Sequence, residues 1–472
     1  MNGRYRMKVI IVGSTHAGTA AAKQILRRHP DTQVTIYERH DNISFVSSGI
    51  YLYLTGKIKH LEDMFYSSPE ALEKIGATVR TQHNVLRIDT KNKTMQVADM
   101  QTGRVFDDQY DKLIMTTGSS VVVPPIMGID QSKVLLCKNY EQAQAIYATA
   151  KDNQHIAIIG AGYMGTELAE SYASTDHDVS LFQSHDQILN NYIGPEMSTK
   201  AVQLLRDHQV KVYLNERVTG FSNNDAGQLV IESSSGDYTA DLAIVCTGFV
   251  PNTELLRGQV KMDRHGALII NDYVQTSDPD IYAAGDACVV NYNPTGKPAY
   301  TPLATNALRQ GALAGINVFG DIQPYVGTQA TSAMQLFDYT LATSGLTYVA
   351  AQHDQLPIRH VIFDGTWRPT YMPTAERLLI DLVYNYKTRQ ILGAQFWSKH
   401  DVSQSANTIS VMIQNQNTID DLAYIDMLFQ PNFDEPFNYL NLVGQQAVEQ
   451  ELDLGHAEPR VTARGNWQSD QN

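Results

Sequence analysis

Ile156-Ala157-Ile158-Ile159-Gly160-Ala161-Gly162-Tyr163-Met164-Gly165-Thr166-Glu167-Leu168-Ala169-Glu170 is the stretch whose reading decides the fold. The apolar run suits a buried strand, the three glycines a tight turn, and the residues after them a helix. Glycines at this spacing let the backbone approach a pyrophosphate, and the amino end of the helix offers free N–H groups and a favourable dipole to its charge. The spacing therefore predicts a dinucleotide-binding strand, turn and helix, with Gly160, Gly162, Tyr163 and Gly165 at the ligand. The following strand is expected over Val179–Phe182. Gln183 then stands 23 residues after Gly160, where a carboxylate would take the ribose hydroxyls. A carboxylate would repel a 2′-phosphate and an arginine would attract it, whereas Gln183 does neither strongly, and Ser184-His185-Asp186-Gln187 brings no arginine. NADH is the expected cofactor, with NADPH as the alternative.

A second copy lies nearer the amino end. Lys8–Val12 reads as a buried strand, Gly13-Ser14-Thr15-His16-Ala17-Gly18 as the turn, and an alanine-rich helix runs on toward Pro30. The strand Gln33–Tyr37 ends at Glu38, 25 residues after Gly13, where a carboxylate would hydrogen-bond an adenosine ribose. This copy is imperfect, because Thr15 takes the middle glycine's place. Two such folds about 150 residues apart suggest two dinucleotides brought together, the layout of a flavoprotein fed by a nicotinamide. Tyr110 to Gly118, with Thr117 in its turn, and Asp241 to Gly248 each read as a strand closing a nucleotide domain. Thr276 to Asp286 reads as a strand ending at an aspartate, placing Gly285 and Asp286 where a carboxylate could bond a flavin's ribityl chain.

The rest of the chain narrows the class. Its 472 residues exceed one ordinary domain, and 43% hydrophobic content supports a globular fold. With 36 Lys+Arg against 50 Asp+Glu the net charge is −14, and without a basic run neither nucleic acid nor an anionic membrane surface is an expected partner. Cys137, Cys246 and Cys288 lie far apart and make no C-x-x-C pair, so neither a disulfide framework nor a thiolate zinc site is suggested, and no metal is expected. Val9-Ile10-Ile11-Val12 is too brief for a signal-peptide core or a membrane span, so a cytoplasmic location is expected. Met1 to Arg6 and the polar tail 458–472 are expected to be frayed.

Taken together, these stretches resemble the FAD-dependent pyridine nucleotide–disulfide oxidoreductases, in the branch of NADH peroxidase, NADH oxidase and coenzyme A disulfide reductase. The resemblance runs from Met7 to about Leu452. Its further matches are Ile43-Ser44-Phe45-Val46-Ser47-Ser48-Gly49, Pro302-Leu303-Ala304-Thr305-Asn306 and Phe429-Gln430-Pro431. It implies an α/β protein with two Rossmann-like domains of glutathione-reductase type and an α+β carboxy-terminal dimerisation domain. The implied division is an FAD-binding domain over 1–119 and 249–326, an NAD(H)-binding domain over 120–248 and a dimerisation domain over 327–457. Phe429-Gln430-Pro431-Asn432-Phe433 with Phe437-Asn438-Tyr439 resembles the family's dimer seam, implying a homodimer.

The sequence departs from the family at Ser48, where the pattern has a redox cysteine against the flavin. A thiolate can attack a peroxide and hold the oxidised state as sulfenic acid; a serine hydroxyl can do neither. Hydride transfer from NADH to FAD needs no such thiol, and electrons passed on to oxygen would then leave as hydrogen peroxide. The resemblance places His16 beside the reactive centre, Tyr163 as an aromatic gate over the nicotinamide pocket, Glu167 as the acid beside it, and Ser48 near the flavin without the role of nucleophile. The expected activity is a peroxide-forming NADH oxidase. Two alternatives stand beside it: an NADH peroxidase-like or other flavin-dependent NAD(P)H reductase with a different acceptor, and a noncatalytic FAD- and NADH-binding redox sensor.

Overall fold

The computed structural model describes residues 6–456; the stretch up to Tyr5 and the tail from Glu458, read above as frayed, lie outside them. The chain divides into two compact units. One comprises residues up to 190 with 198–292 and 296–328, the other 191–197, 293–295 and the chain from 329 onward.

The first unit contains the same parallel sheet twice. In one, strand Lys8–Val12 lies between Gln33–Tyr37 and Lys112–Met115, with Ala77–Arg80 and Ile281–Ala283 at the edges. In the other, His155–Ile159 lies between Asp178–Phe182 and Leu242–Val245, with Lys211–Tyr213 and Val134–Leu136 at the edges. The central strands are apolar and buried almost throughout, as parallel strands covered on both faces require. Each sheet has a three-stranded antiparallel meander ahead of its third central strand, over residues 83–109 and 218–240. Helix His16–Arg28 packs on helix Ala304–Asn317 at close range, because Gly311 faces Ala17 and Gly315 faces Ala21 with no side chain between.

The stretch Thr276 to Asp286 is not one strand. Pro279 has no N–H to give a ladder, and residues 276–281 fold back on themselves, with Ile281 donating to Asp278 and Thr276 to Ile281. Only Ile281–Ala283 joins the sheet, returning the chain to the first sheet after the second is complete. Asp286 lies beyond it in a short 3₁₀ turn, Gly285–Ala287.

The second unit is built on a five-stranded antiparallel sheet, in the order Ser332–Leu336, Tyr339–Gly345, Ile391–Ser398, Arg377–Asn385, Ile358–Thr366. Helix Ser403–Gln414 packs on the strands Tyr339–Gly345 and Ile391–Ser398, and helix Tyr439–Asp453 on Ile358–Thr366. The core gathers Leu378, Ile380, Phe396, Ile409 and Val443. Within the segment read as a seam, Phe429, Phe433 and Phe437 are at least half exposed. Tyr439 departs from that reading: it opens the last helix, is buried, and shares a hydrogen bond with the Ser405 hydroxyl.

Candidate functional site

The two glycine turns share their hydrogen bonds as well as their sequence. Gly13 donates its N–H to Tyr37 O at 2.8 Å, and Gly160 donates to Phe182 O at the same distance. Both take positive φ, +92° and +104°. A Cβ on Gly13 would lie 2.4 Å from Thr116 O, and one on Gly160 would lie 2.5 Å from Cys246 O, so only glycine fits either corner. Gly18 and Gly165 close the turns against the carbonyls of Gly13 and Gly160, leaving 2.0 and 1.9 Å for any added Cβ. They seat each helix on its strand and aim its amino end past the strand's carboxyl edge.

At the first turn, Glu38 is buried and accepts two backbone N–H groups, from Ser14 at 2.8 Å and His40 at 3.0 Å. A cavity of about 530 Å³ opens here, a size common among cofactor sites. Gly13, Thr15, His16, Glu38, Ser47, Thr117, Gly118, Gly285 and Asp286 line it. A buried acid, a helix amino end and a second acid thus converge, a set of groups able to hold a dinucleotide. Ser48 is exposed and does not line the cavity, although its neighbour Ser47 does. Ala304 begins its helix and Thr305 is exposed; from that helix the lining residue is Ala307.

Four neighbours, three polar and one aromatic, carry no motif of their own. Asp286 accepts from the Ser119 hydroxyl at 2.6 Å and from Lys138 Nζ at 3.2 Å, while that ammonium also sits 3.7 Å from the Phe249 ring centroid. His16 Nδ1 is 3.0 Å from Tyr66 Oη, with the two rings stacked. Burial lowers the His16 pKa, Asp286 raises it and Lys138 lowers it, for a net decrease that favours the neutral ring. Tyr66 is pushed up to about 12 by burial. Ser119, Lys138, Tyr66 and Phe249 come from separate segments and meet only through the fold, so no local spacing could have revealed them.

At the second turn, Tyr163 is the first residue of helix Tyr163–Ala173, and Gly162 has open space where a Cβ would point. Gln183 is buried and donates to Gln187 O at 2.9 Å, which places a neutral amide just past strand Asp178–Phe182. Gly248 is exposed beyond its strand. Glu167 does not face open solvent: burial, and secondarily the charge of Glu170, push its carboxyl up to about 8. None of the three cysteines lines the cavity. Cys288 is buried, its thiol donating to Gly285 O at 3.3 Å, in keeping with a packing role. Cys137 and Cys246, distant in sequence, are brought together where neighbouring parallel strands end, and the Cys137 thiol is the largest cause of a raised Cys246 pKa. Among the described residues no cluster of three His, Cys, Asp or Glu is placed to hold a metal, and no helix is long and apolar enough to cross a membrane.

Residues 7–311 match the pyridine nucleotide-disulphide oxidoreductase family and residues 331–440 its dimerisation domain. The chain is 46% identical to a protein named NADH oxidase from Enterococcus faecalis, over 94% of this chain and all of that one. It is 50% identical to a solved structure described as a water-forming NADH oxidase from Lactobacillus brevis bound to NADH, with a TM-score of 0.94 over 95% of this chain and all of the other. At 27% identity it is also similar to a coenzyme A disulfide reductase from Staphylococcus aureus, over 93% of this chain and 99% of that one.

Proposed function

This chain belongs to the pyridine nucleotide-disulphide oxidoreductases, and from that premise we propose that it is an FAD-dependent NADH oxidase that delivers electrons to oxygen and releases hydrogen peroxide. The observation that carries the reading is the Ser47-Ser48-Gly49 segment beside a cavity that none of the three cysteines lines. When bound, the flavin would accept hydride from the dihydronicotinamide and pass two electrons onward. The chain's own residues bind, orient and shield. Glu38 takes the adenosine ribose, the amino end of helix His16–Arg28 faces the pyrophosphate, and Asp286 takes the ribityl hydroxyls in place of Ser119 or Lys138. The Gly160 turn holds the second pyrophosphate, and the neutral Gln183 tolerates NADH without strictly excluding NADPH. Tyr163 opens the helix at the nicotinamide pocket, and Glu167 holds a proton there up to about pH 8. His16, kept neutral by burial and hydrogen-bonded to Tyr66, can share a hydrogen bond with the oxygen product.

We assign the FAD-binding part to 1–119 with 249–326 and the nicotinamide part to 120–248, in line with the return of Ile281–Ala283 to the first sheet. We assign 327–457 to dimerisation; the exposed Phe429, Phe433 and Phe437 support a homodimer. Water as product is the second reading, favoured by the description of the L. brevis enzyme, and it requires a group that reduces peroxide further. Anaerobic mixing with NADH tests hydride transfer through flavin bleaching, and the peroxide formed per NADH after admitting air separates the two products.

A further inference from the structure

Cys137 and Cys246 follow directly on the ends of neighbouring parallel strands, Val134–Leu136 and Leu242–Val245, whose register pairs Leu136 with Val245. One further step sets the two cysteines opposite each other on the same face. The extended path continues through the second cysteine, since Cys246 donates its N–H to Ile159 O at 2.8 Å. Neighbouring strands lie about 4.8 Å apart, within the Cα separations that disulfides span. Cys137 is fully buried, and Cys246 is the less buried residue of the two. The pair also underlies the nicotinamide turn: Cys246 O blocks the Gly160 corner at 2.5 Å, and its Cβ lies 3.4 Å from the Cβ position on Gly165.

We propose that Cys137 and Cys246 form a reversible disulfide in the presence of hydrogen peroxide, and that this bridge weakens NADH binding at the turn resting on it. The proposal relies on the reading above only for an internal source of the oxidant. The Cys246 thiol gives an electron pair to one peroxide oxygen, forming a sulfenic acid and releasing water. The Cys137 sulfur then attacks the Cys246 sulfur, and the hydroxyl leaves with the Cys137 proton as a second water. Two thiols are oxidised and one peroxide is reduced to two waters; an external dithiol reverses the bridge. The neighbouring Cys137 thiol and burial hold the Cys246 pKa well above its ordinary value, keeping thiolate scarce and its reaction with peroxide slow, so that only sustained peroxide drives the step. The pair therefore responds to accumulated peroxide.

The test treats flavin-loaded enzyme with hydrogen peroxide in the absence of NADH, then counts thiols in denaturant, maps peptides and measures kcat and KM for NADH before and after dithiothreitol. The expected result is loss of two of the three free thiols, a linked Cys137–Cys246 peptide, and a severalfold rise in KM with kcat retained, reversed by the dithiol. Cys137→Ser and Cys246→Ser should each lack the linked peptide and the reversible KM shift. Retention of all three thiols, a link through Cys288, or a bridge that leaves KM unchanged would overturn the proposal. Because peroxide is added from outside, such a failure leaves the product assignment standing, and a water-forming enzyme would leave the bridge standing.

Discussion

Glu38 accepts the backbone N–H of Ser14 at 2.8 Å across 24 residues of sequence, tying the buried acid to the first glycine turn. The Glu38→Gln variant would turn an amide N–H₂ toward one of the two N–H groups that the carboxylate now satisfies. The mismatch should cost about 1–3 kcal/mol, and FAD binding at the turn should weaken by roughly five- to a hundredfold. Flavin retained through gel filtration, together with a titrated FAD dissociation constant, measures this. Unchanged retention would remove Glu38 from the site.

Gly160→Ala should separate the two nucleotides. Its Cβ would lie 2.5 Å from Cys246 O at a φ of +104°, so the turn must open. The Gly13 turn has its own partners, Tyr37 and Thr116, and should be untouched. The variant should keep its flavin absorbance but lose saturable NADH oxidation. Loss of flavin with NADH binding intact would reverse the assignment of the two turns.

Glu167 should impose a pH dependence. Its folded pKa, about 8, lies above the ordinary 4.5, so the neutral carboxyl favours the fold at low pH and that contribution is lost as pH rises from 4.5 through 8. Thermal melts over that window should show wild type losing stability relative to Glu167→Gln, whose amide does not titrate. Parallel curves would mean that the carboxyl is already ionised and solvated.

In the second unit, Glu451 is fully buried and accepts from Arg359 at 2.6 Å and from Tyr384 Oη at 2.7 Å. Burial alone would raise its pKa, but Tyr384, His456 and Arg359 outweigh it and bring the net value down. Its contribution is therefore present above the ordinary carboxylate pKa and lost as acid titrates it. Glu451→Ala leaves the Arg359 charge without its partner and should cost about 3 kcal/mol, read as a lower midpoint in urea. A change under about 0.5 kcal/mol would mean that the network is solvated.

The parts of the fold held by local rules were legible in sequence. Gly13 and Gly160 stand where only glycine fits, and the apolar runs before them are strands because both sheet faces are covered. Ser48, though named from the family pattern, sits exposed while Ser47 lines the cavity, a one-residue difference that spacing does not resolve. Asp286 lines the cavity, but the strand before it is shorter than its apolar spacing suggests because Pro279 interrupts the ladder. Lys138, Ser119 and Tyr66 converge from three segments, and Cys137 meets Cys246 only through the register of strands whose pairing no short motif announces. Tyr439 looked like its exposed aromatic neighbours, but helix packing turned it inward.

With serine at position 48, two-electron reduction of oxygen is expected to end at peroxide. The most direct measurement is the hydrogen peroxide formed per NADH consumed, with catalase-free enzyme in air, alongside Ser48→Cys. About one peroxide per NADH is expected for the chain with Ser48, on the two-electron stoichiometry of the flavin, and less for Ser48→Cys. Water as the sole product of the chain with Ser48 would contradict that expectation.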